Sequence, residues 1–160
     1  MTTESISDEN IELLISQHKT VLNPRAREKP KATHLQRNYN LISDEGSAFK
    51  LYTRQNTIVS EHFSCGLLWA PSNDVTLTLL RYNGPHHPHI NKIEKTKSDF
   101  ECHIHRATAR YIVAGKQAEG YAEVTTRYSD LQGALICLIN DCNISGFGSE
   151  HTQTNMDLLH

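Results

Sequence analysis

Apolar residues recur at helical spacing near both ends of the chain. The first stretch follows Ser7, a residue type that caps helices, and predicts a helix at about residues 8 to 21. The second follows Ser129, and Gln132 three positions later completes a capping-box pattern. The apolar stripe of this second predicted helix consists of Leu131, Leu135, Leu138, Ile139 and Cys142.

Between these helices apolar and polar residues alternate, which is typical of strands. Two such stretches flank the turn Asp44-Glu45-Gly46 and two more flank Pro71-Ser72-Asn73-Asp74, so each set predicts a β-hairpin. Residues 83–98 show no period and are predicted to be irregular. The predicted strands lie at 39–42, 49–54, 58–70, 75–82, 100–105, 111–114 and 121–125.

This order of elements predicts an α+β fold with a central antiparallel β-sheet, an N-terminal and a C-terminal helix, and the helices on one side of the sheet. A length of 160 residues with 38% hydrophobic residues suits a single core. We divide the chain into an N-terminal helix and basic connector at 1–36, a single α+β domain at 37–144 and a mobile tail at 145–160.

The connector from Lys19 to Arg37 carries six Lys or Arg residues against one acid, Glu28. Pro24 and Pro30 are predicted to break any regular structure there. The stretch is interpreted either as a solvated linker or as a contact strip for phosphates or an acidic partner. The formal net charge of −2 removes whole-protein attraction to nucleic acid as an argument, so any such contact must be local. Its candidate substrate-binding residues are Arg25, Arg27, Lys29 and Lys31.

The sequence predicts a cytoplasmic protein without a membrane partner. Its first residues are polar and acidic, unlike a secretory signal, and no apolar run is long enough to cross a bilayer. The four cysteines form no C-x-x-C pair, so we expect small apolar residues rather than disulfides.

Histidines are concentrated in one region, with five of the ten between positions 86 and 105. On a strand over 100–105, alternate side chains point to opposite faces. Phe100, Cys102 and Ile104 are therefore predicted to face the core. The other face then carries Glu101, His103 and His105. The loop before this strand is expected to fold back, which places His89, Asn91 and Arg81 at the same candidate site.

Asn83-Gly84, His89-Ile-Asn91 and His103-Ile-His105 also form a spaced pattern, and the last motif continues as HRATARY to Tyr111. In these motifs the chain, over about residues 37–143, resembles a family of uncharacterised bacterial and prophage-borne proteins. The resemblance implies a shared site and no particular activity.

One hypothesis is a metal-independent ribonuclease of the toxin-like or phage-conflict kind, with RNA as its partner and no cofactor. His103 and His105 would supply the acid and base of the reaction. His89 and Asn91 would complete the catalytic group, and Tyr111 would orient the phosphate or donate a proton. The cations proposed to hold the phosphate are Arg81, Arg106 and Arg110.

A second hypothesis is a metal-dependent enzyme. His103 and His105 would place two imidazoles on one strand face, and a third ligand would come from His86, His87 or His89. Three protein ligands leave zinc or iron an open position.

The third hypothesis is a non-catalytic binding module such as an inhibitor, an adaptor or an antitoxin-like protein with a protein partner. Here Pro85 and Pro88 would stiffen the loop, and the histidines and Asn91 would satisfy its backbone. The sequence leaves the three hypotheses open, together with the oligomeric state.

Overall fold

A computed structural model describes residues 1–148 of the chain. Its helices are α1 (Asp8–Ser16), α2 (Ala109–Val113) and α3 (Leu131–Asp141). Its strands are β1 (Lys19–Val21), β2 (Lys29–Lys31), β3 (His34–Ser43), β4 (Ala48–Asn56), β5 (Phe63–Ser72), β6 (Val75–Asn83), β7 (His89–Asn91), β8 (Thr96–Ser98), β9 (His103–Arg106), β10 (Tyr121–Val124) and β11 (Ile144–Ser145).

A nine-stranded sheet dominates the molecule, and its path runs β10-β9-β6-β5-β4-β3-β1-β11, with β2 beside β3. Its pairs are antiparallel except β1 with β11, which is parallel. The strands β7 and β8 form a separate two-stranded hairpin. The predicted central antiparallel sheet and its two hairpins, β3–β4 and β5–β6, are confirmed.

The hydrophobic core lies between one face of this sheet and the helices α1 and α3. Helix α3 contacts β4, β5 and β6, and buries Leu135 and Leu138 against them. Helix α1 buries Ile11, Leu14 and Ile15 in the same core. The opposite face of β4, β5, β6 and β9 is therefore not needed for the main core.

The N-terminal region is more regular than its sequence predicts. Helix α1 ends at Ser16, because the chain turns there and pairs as β1 with β3. Lys29–Lys31 pairs with β3, so the prediction that Pro30 breaks regular structure is wrong. Proline is tolerated on an edge strand, where no neighbour requires its missing N–H. Both strands of this basic connector belong to the main sheet.

The region around the histidines also differs from its prediction. Residues 83–98 are not irregular throughout, because β7 and β8 form within them. Residues 111–114 are not a strand, because Thr108 caps α2 by accepting a hydrogen bond from the Tyr111 backbone. Phe100 does not face the core and is 67% exposed. Thus the short elements around the site were the ones predicted least well.

The structure differs from the prediction at the start of α3 and in the residues that follow the helix. Its cap is Asp130 rather than Ser129, since the Asp130 side chain accepts from the Gly133 backbone at 2.8 Å. The predicted mobile tail begins at 145, but Ser145 belongs to β11 and the ring of Phe147 lies 5.0 Å from that of Tyr39. The rest of that prediction, residues 149–160, lies outside the described residues.

Within residues 1–148 no helix is long and apolar enough to span a membrane.

Candidate functional site

Two cross-strand rows on the sheet face away from α3 form the floor of the candidate site. One row runs Gly66, Arg81, His105 across β5, β6 and β9. The adjacent row runs Arg54, Ser64, Asn83, His103 across β4, β5, β6 and β9. Because the rows are two residues apart on each strand, their side chains point to the same face.

His89 reaches this floor from the separate hairpin. Its ring centroid lies 5.6 Å from that of His103 and 4.6 Å from that of His105. The rings of His103 and His105 are 5.0 Å apart. One ring nitrogen from each histidine lies within 4.8 Å of the others, an arrangement that could hold a metal ion.

Hydrogen bonds to carbonyl oxygens hold all three rings. Nδ1 of His103 lies 2.8 Å from the Glu101 oxygen, and Nδ1 of His105 lies 2.8 Å from the Glu119 oxygen. Nε2 of His89 lies 2.9 Å from the Gly120 oxygen. Since a carbonyl only accepts, each of these nitrogens donates and carries the proton of the neutral ring. The lone pair is then on Nε2 of His103 and His105 and on Nδ1 of His89.

Asn91 fixes the hairpin that carries His89. Its Nδ2 donates to the Ala122 carbonyl at 2.9 Å, and its Oδ1 accepts from the Ala122 backbone N–H at 2.8 Å. The same Oδ1 lies 2.9 Å from Nε2 of His89, and Nδ2 also donates to Thr96 Oγ1. Asn91 is therefore a buried clamp between β7 and β10 that also orients the His89 ring.

The environment favours neutral histidines. Burial, followed by the positive charge of Arg81, lowers the pKa of His105 to about 3. Burial also lowers the pKa of His103. His103 and His105 are 2% and 3% exposed, which leaves little water to solvate a charged ring. Neutral imidazole is the form that ligates metals.

The three histidines line a cavity with a volume of about 570 Å³, and a second histidine cluster lines the same cavity. It consists of His62, His86 and His87, again with one nitrogen of each within 4.8 Å of the others. The rings of His62 and His86 stack with centroids 4.0 Å apart. Burial and the neighbouring histidines lower the pKa of His62, and burial followed by His86 lowers that of His87.

Several predicted site residues do meet at this cavity. Arg81 and Tyr111 line it together with His89, His103 and His105. The Tyr111 hydroxyl, however, donates to Glu94 Oε1 at 2.6 Å. Asn91 lies beneath the cavity wall, where it contacts His89.

The other predicted cations lie elsewhere. Arg106 points to the opposite sheet face and pairs with Glu12. Arg110 pairs with Glu94 at 2.6 Å, so its charge is already matched. The four connector cations are exposed and do not line the cavity, and only Lys29 and Lys31 belong to a strand, β2.

The sequence did not single out His62 or Arg54 as site residues, and it gave Asn83 no role beyond its motif. Arg54 reaches the cavity through strand register, His62 lies just before β5 and stacks on His86, and no local motif marks either residue. Asn83 stood within the Asn-Gly motif, but its proximity to His103 depends on the β6–β9 pairing.

Comparisons of the chain with protein-family models, with curated proteins and with solved structures find no match. Functional inference therefore depends on the geometry of the site.

Proposed function

We propose that this protein is a metal-dependent enzyme in which His89, His103 and His105 hold a zinc ion. The observation that carries the proposal is the shared hydrogen-bonding pattern of the three rings. Each ring gives one nitrogen to a carbonyl oxygen and keeps a lone pair on the other. Such an outer contact fixes the tautomer and orients the ring in histidine metal sites.

The geometry suits zinc bound by three histidines. Zinc–nitrogen bonds of about 2.0 Å place tetrahedral ligands roughly 3.3 Å apart, so nitrogens that lie within 4.8 Å of one another would move closer by up to about 1.5 Å on binding zinc. Three neutral ligands leave the ion its full charge and a fourth position for water. Zinc lowers the pKa of such a water to about 7, which favours hydrolysis as the reaction class.

A purely structural role explains the site less well. A histidine that only supports a loop needs a partner for each buried ring nitrogen. Here the described residues give Nε2 of His103 only a long contact, 3.5 Å to the Asn83 amide nitrogen, while the rings of His89, His103 and His105 lie with centroids 4.6–5.6 Å apart. A metal ion between the rings would give these nitrogens a partner that a loop-supporting role does not supply.

Metal-independent RNA cleavage is the second candidate, favoured by the position of Arg81 beside His105 in cross-strand register. It requires one histidine to be protonated before it acts as an acid. The buried, carbonyl-anchored rings supply two bases more readily than an acid and a base.

Metal content tests the proposal directly. We expect purified protein, dialysed against trace zinc, to retain one more equivalent of zinc per chain than the variant His103→Gln/His105→Gln, measured by elemental analysis. His34→Gln is the matched control, because His34 lies on β3 outside the cavity, and it should retain the parent stoichiometry. Equal zinc content in parent and double variant would reject the proposal.

A second measurement does not depend on the folding of a variant. Cobalt added to the chelator-treated parent protein should give the intense visible absorption of a four-coordinate site, saturating as the site fills. Weak absorption typical of six-coordinate cobalt would contradict a three-histidine tetrahedral centre. RNA cleavage that persists with chelator would instead support the metal-independent candidate.

A further inference from the structure

Arg81 is a half-buried cation without an acidic partner. Within residues 1–148 no carboxylate lies within 4.0 Å of its guanidinium, whereas Arg37, Arg106, Arg110 and Arg127 all have one. Its Nε is buried and has no hydrogen-bond partner among the described residues. A guanidinium held in this way loses hydration without gaining an ion pair.

The surroundings fix Arg81 in the cavity wall. Its strand neighbours across the sheet are Gly66 on one side and His105 on the other. The ring of Tyr52 fills the space above Gly66, since a Cβ at that glycine would lie 2.7 Å from the ring. Arg81 is therefore flanked by an aromatic ring and a ligand of the proposed zinc, and it lines the cavity.

The charge of the cavity lining contrasts with that of the whole protein. The lining contains Arg54, Arg81, Lys92 and Lys116, and it contains no Asp or Glu among the described residues. The chain as a whole has a formal net charge of −2. Four cations in an acid-free concave site concentrate positive potential where a ligand enters.

Asn83 adds a second unsatisfied group at the same place. Its Oδ1 is one of four buried side-chain polar atoms without a partner in the described part of the chain, and Arg81 Nε is another. Both residues line the cavity, on neighbouring positions of one strand face. Both unpaired atoms are buried, but they belong to residues that line one cavity, which favours a polar ligand there.

We propose that this cavity binds a small phosphorylated molecule, with Arg81 holding the phosphate beside the His89, His103 and His105 centre. This inference names the substrate class of the proposed enzyme and in that sense rests on the proposed function. A phosphate offers several acceptor oxygens to the forked donors of a guanidinium, and its double charge matches the excess of cations. The volume of about 570 Å³ leaves room for an attached group of small-molecule size.

Calorimetric titration with inorganic phosphate tests the inference. Parent protein and Arg81→Gln are titrated in zinc-loaded form and after chelator treatment, at constant ionic strength. We expect Arg81→Gln to weaken phosphate binding by roughly tenfold to a hundredfold, the effect of losing charge-assisted hydrogen bonds. Arg37→Gln removes the same charge from an arginine already paired with Glu28, and should leave phosphate affinity unchanged.

The two proposals fail separately in this experiment. If the parent protein takes up no zinc on loading and Arg81→Gln still weakens phosphate binding, the inference is supported while the metal proposal is overturned. Zinc binding with equal phosphate affinity in parent and Arg81→Gln would overturn the inference alone. Acetate binding as tightly as phosphate would also overturn it, and Arg81→Lys, which keeps the charge, should show an intermediate affinity.

Discussion

At the scale of single residues, Asn91 holds the hairpin that carries His89, one of the proposed zinc ligands. Replacing Asn91 with Ala removes both bonds to the Ala122 backbone and the contact to His89. We expect zinc affinity to fall by about 10-fold to 100-fold, as for other outer contacts of metal ligands. Competition with a chromogenic chelator measures the change.

Asn23 provides the matched control, because its side chain makes the same kind of clamp far from the site. Its Nδ2 donates to the Asn38 carbonyl, and its Oδ1 accepts from the Asn40 backbone. Asn23→Ala should lower stability and leave zinc affinity at the parent value. Equal zinc affinities in Asn91→Ala and the parent protein would show that the clamp does not position His89.

Lys19 makes the free energy of unfolding depend on pH in the alkaline range. Its side chain is fully buried, and Nζ donates to the carbonyl oxygens of Ile15, Gln17 and Cys142 at 2.7–2.9 Å. Burial lowers the pKa of Lys19 from 10.5 to about 8. Between these values the unfolded chain binds the proton and the folded chain releases it.

The free energy of unfolding rises with pH wherever the unfolded state binds more protons than the folded state. We expect the free energy of unfolding of the parent, relative to Lys19→Met, to rise by up to about 3 kcal/mol between pH 8 and 10.5. Urea unfolding at several pH values measures this difference, and other titrating groups cancel in it. A difference that stays flat would mean that the three carbonyl oxygens keep Lys19 charged throughout.

At the scale of elements, the sequence predicted the strands and hairpins that depend on local residue patterns. The β3–β4 and β5–β6 hairpins follow from alternation and turn residues, and so does the shared face of His103 and His105. The hairpin of His89 and Asn91 was not predicted as strands, because each strand has three residues and its anchor is Ala122, far along the chain. Helix α2 was missed because Tyr111-Ile-Val also suits a strand, and only the Thr108 cap decides between them.

The cap of α3 gives an element-scale prediction. Asp130→Ala removes the acceptor of the Gly133 N–H, and should lower the free energy of unfolding by about 1 kcal/mol in urea titration. Ser129→Ala is the control, since the pattern of the sequence favoured that residue as the cap. A larger effect from Ser129→Ala than from Asp130→Ala would assign the cap to Ser129.

At the scale of the whole molecule, the proposed zinc would join two separate sheets. His89 belongs to the β7–β8 hairpin, whereas His103 and His105 belong to the main sheet. Saturating zinc at about a hundred times its Kd should add roughly 2.7 kcal/mol to the free energy of unfolding. Chelator should remove this gain in the parent and in His34→Gln, and should have no effect on His103→Gln/His105→Gln.

Hydrogen exchange locates that gain. Amides of residues 89–98 should exchange more slowly with zinc than without it, because zinc would tie the hairpin to β9. Slower exchange restricted to α3 would place the bound ion elsewhere.

The pairing of β1 with β11 also sets an order of events during folding. Lys19 and Cys142, joined beside this pair, are 123 residues apart along the chain. Closing so long a loop costs more chain entropy than forming the hairpins between its ends, so we expect the hairpins to form first and the two ends to meet last. Lys19→Met leaves three carbonyl oxygens without their donor, so it should speed unfolding in stopped-flow experiments and leave the refolding rate unchanged. The histidine cavity, built between those ends, would therefore take shape before the sheet gains its last strand.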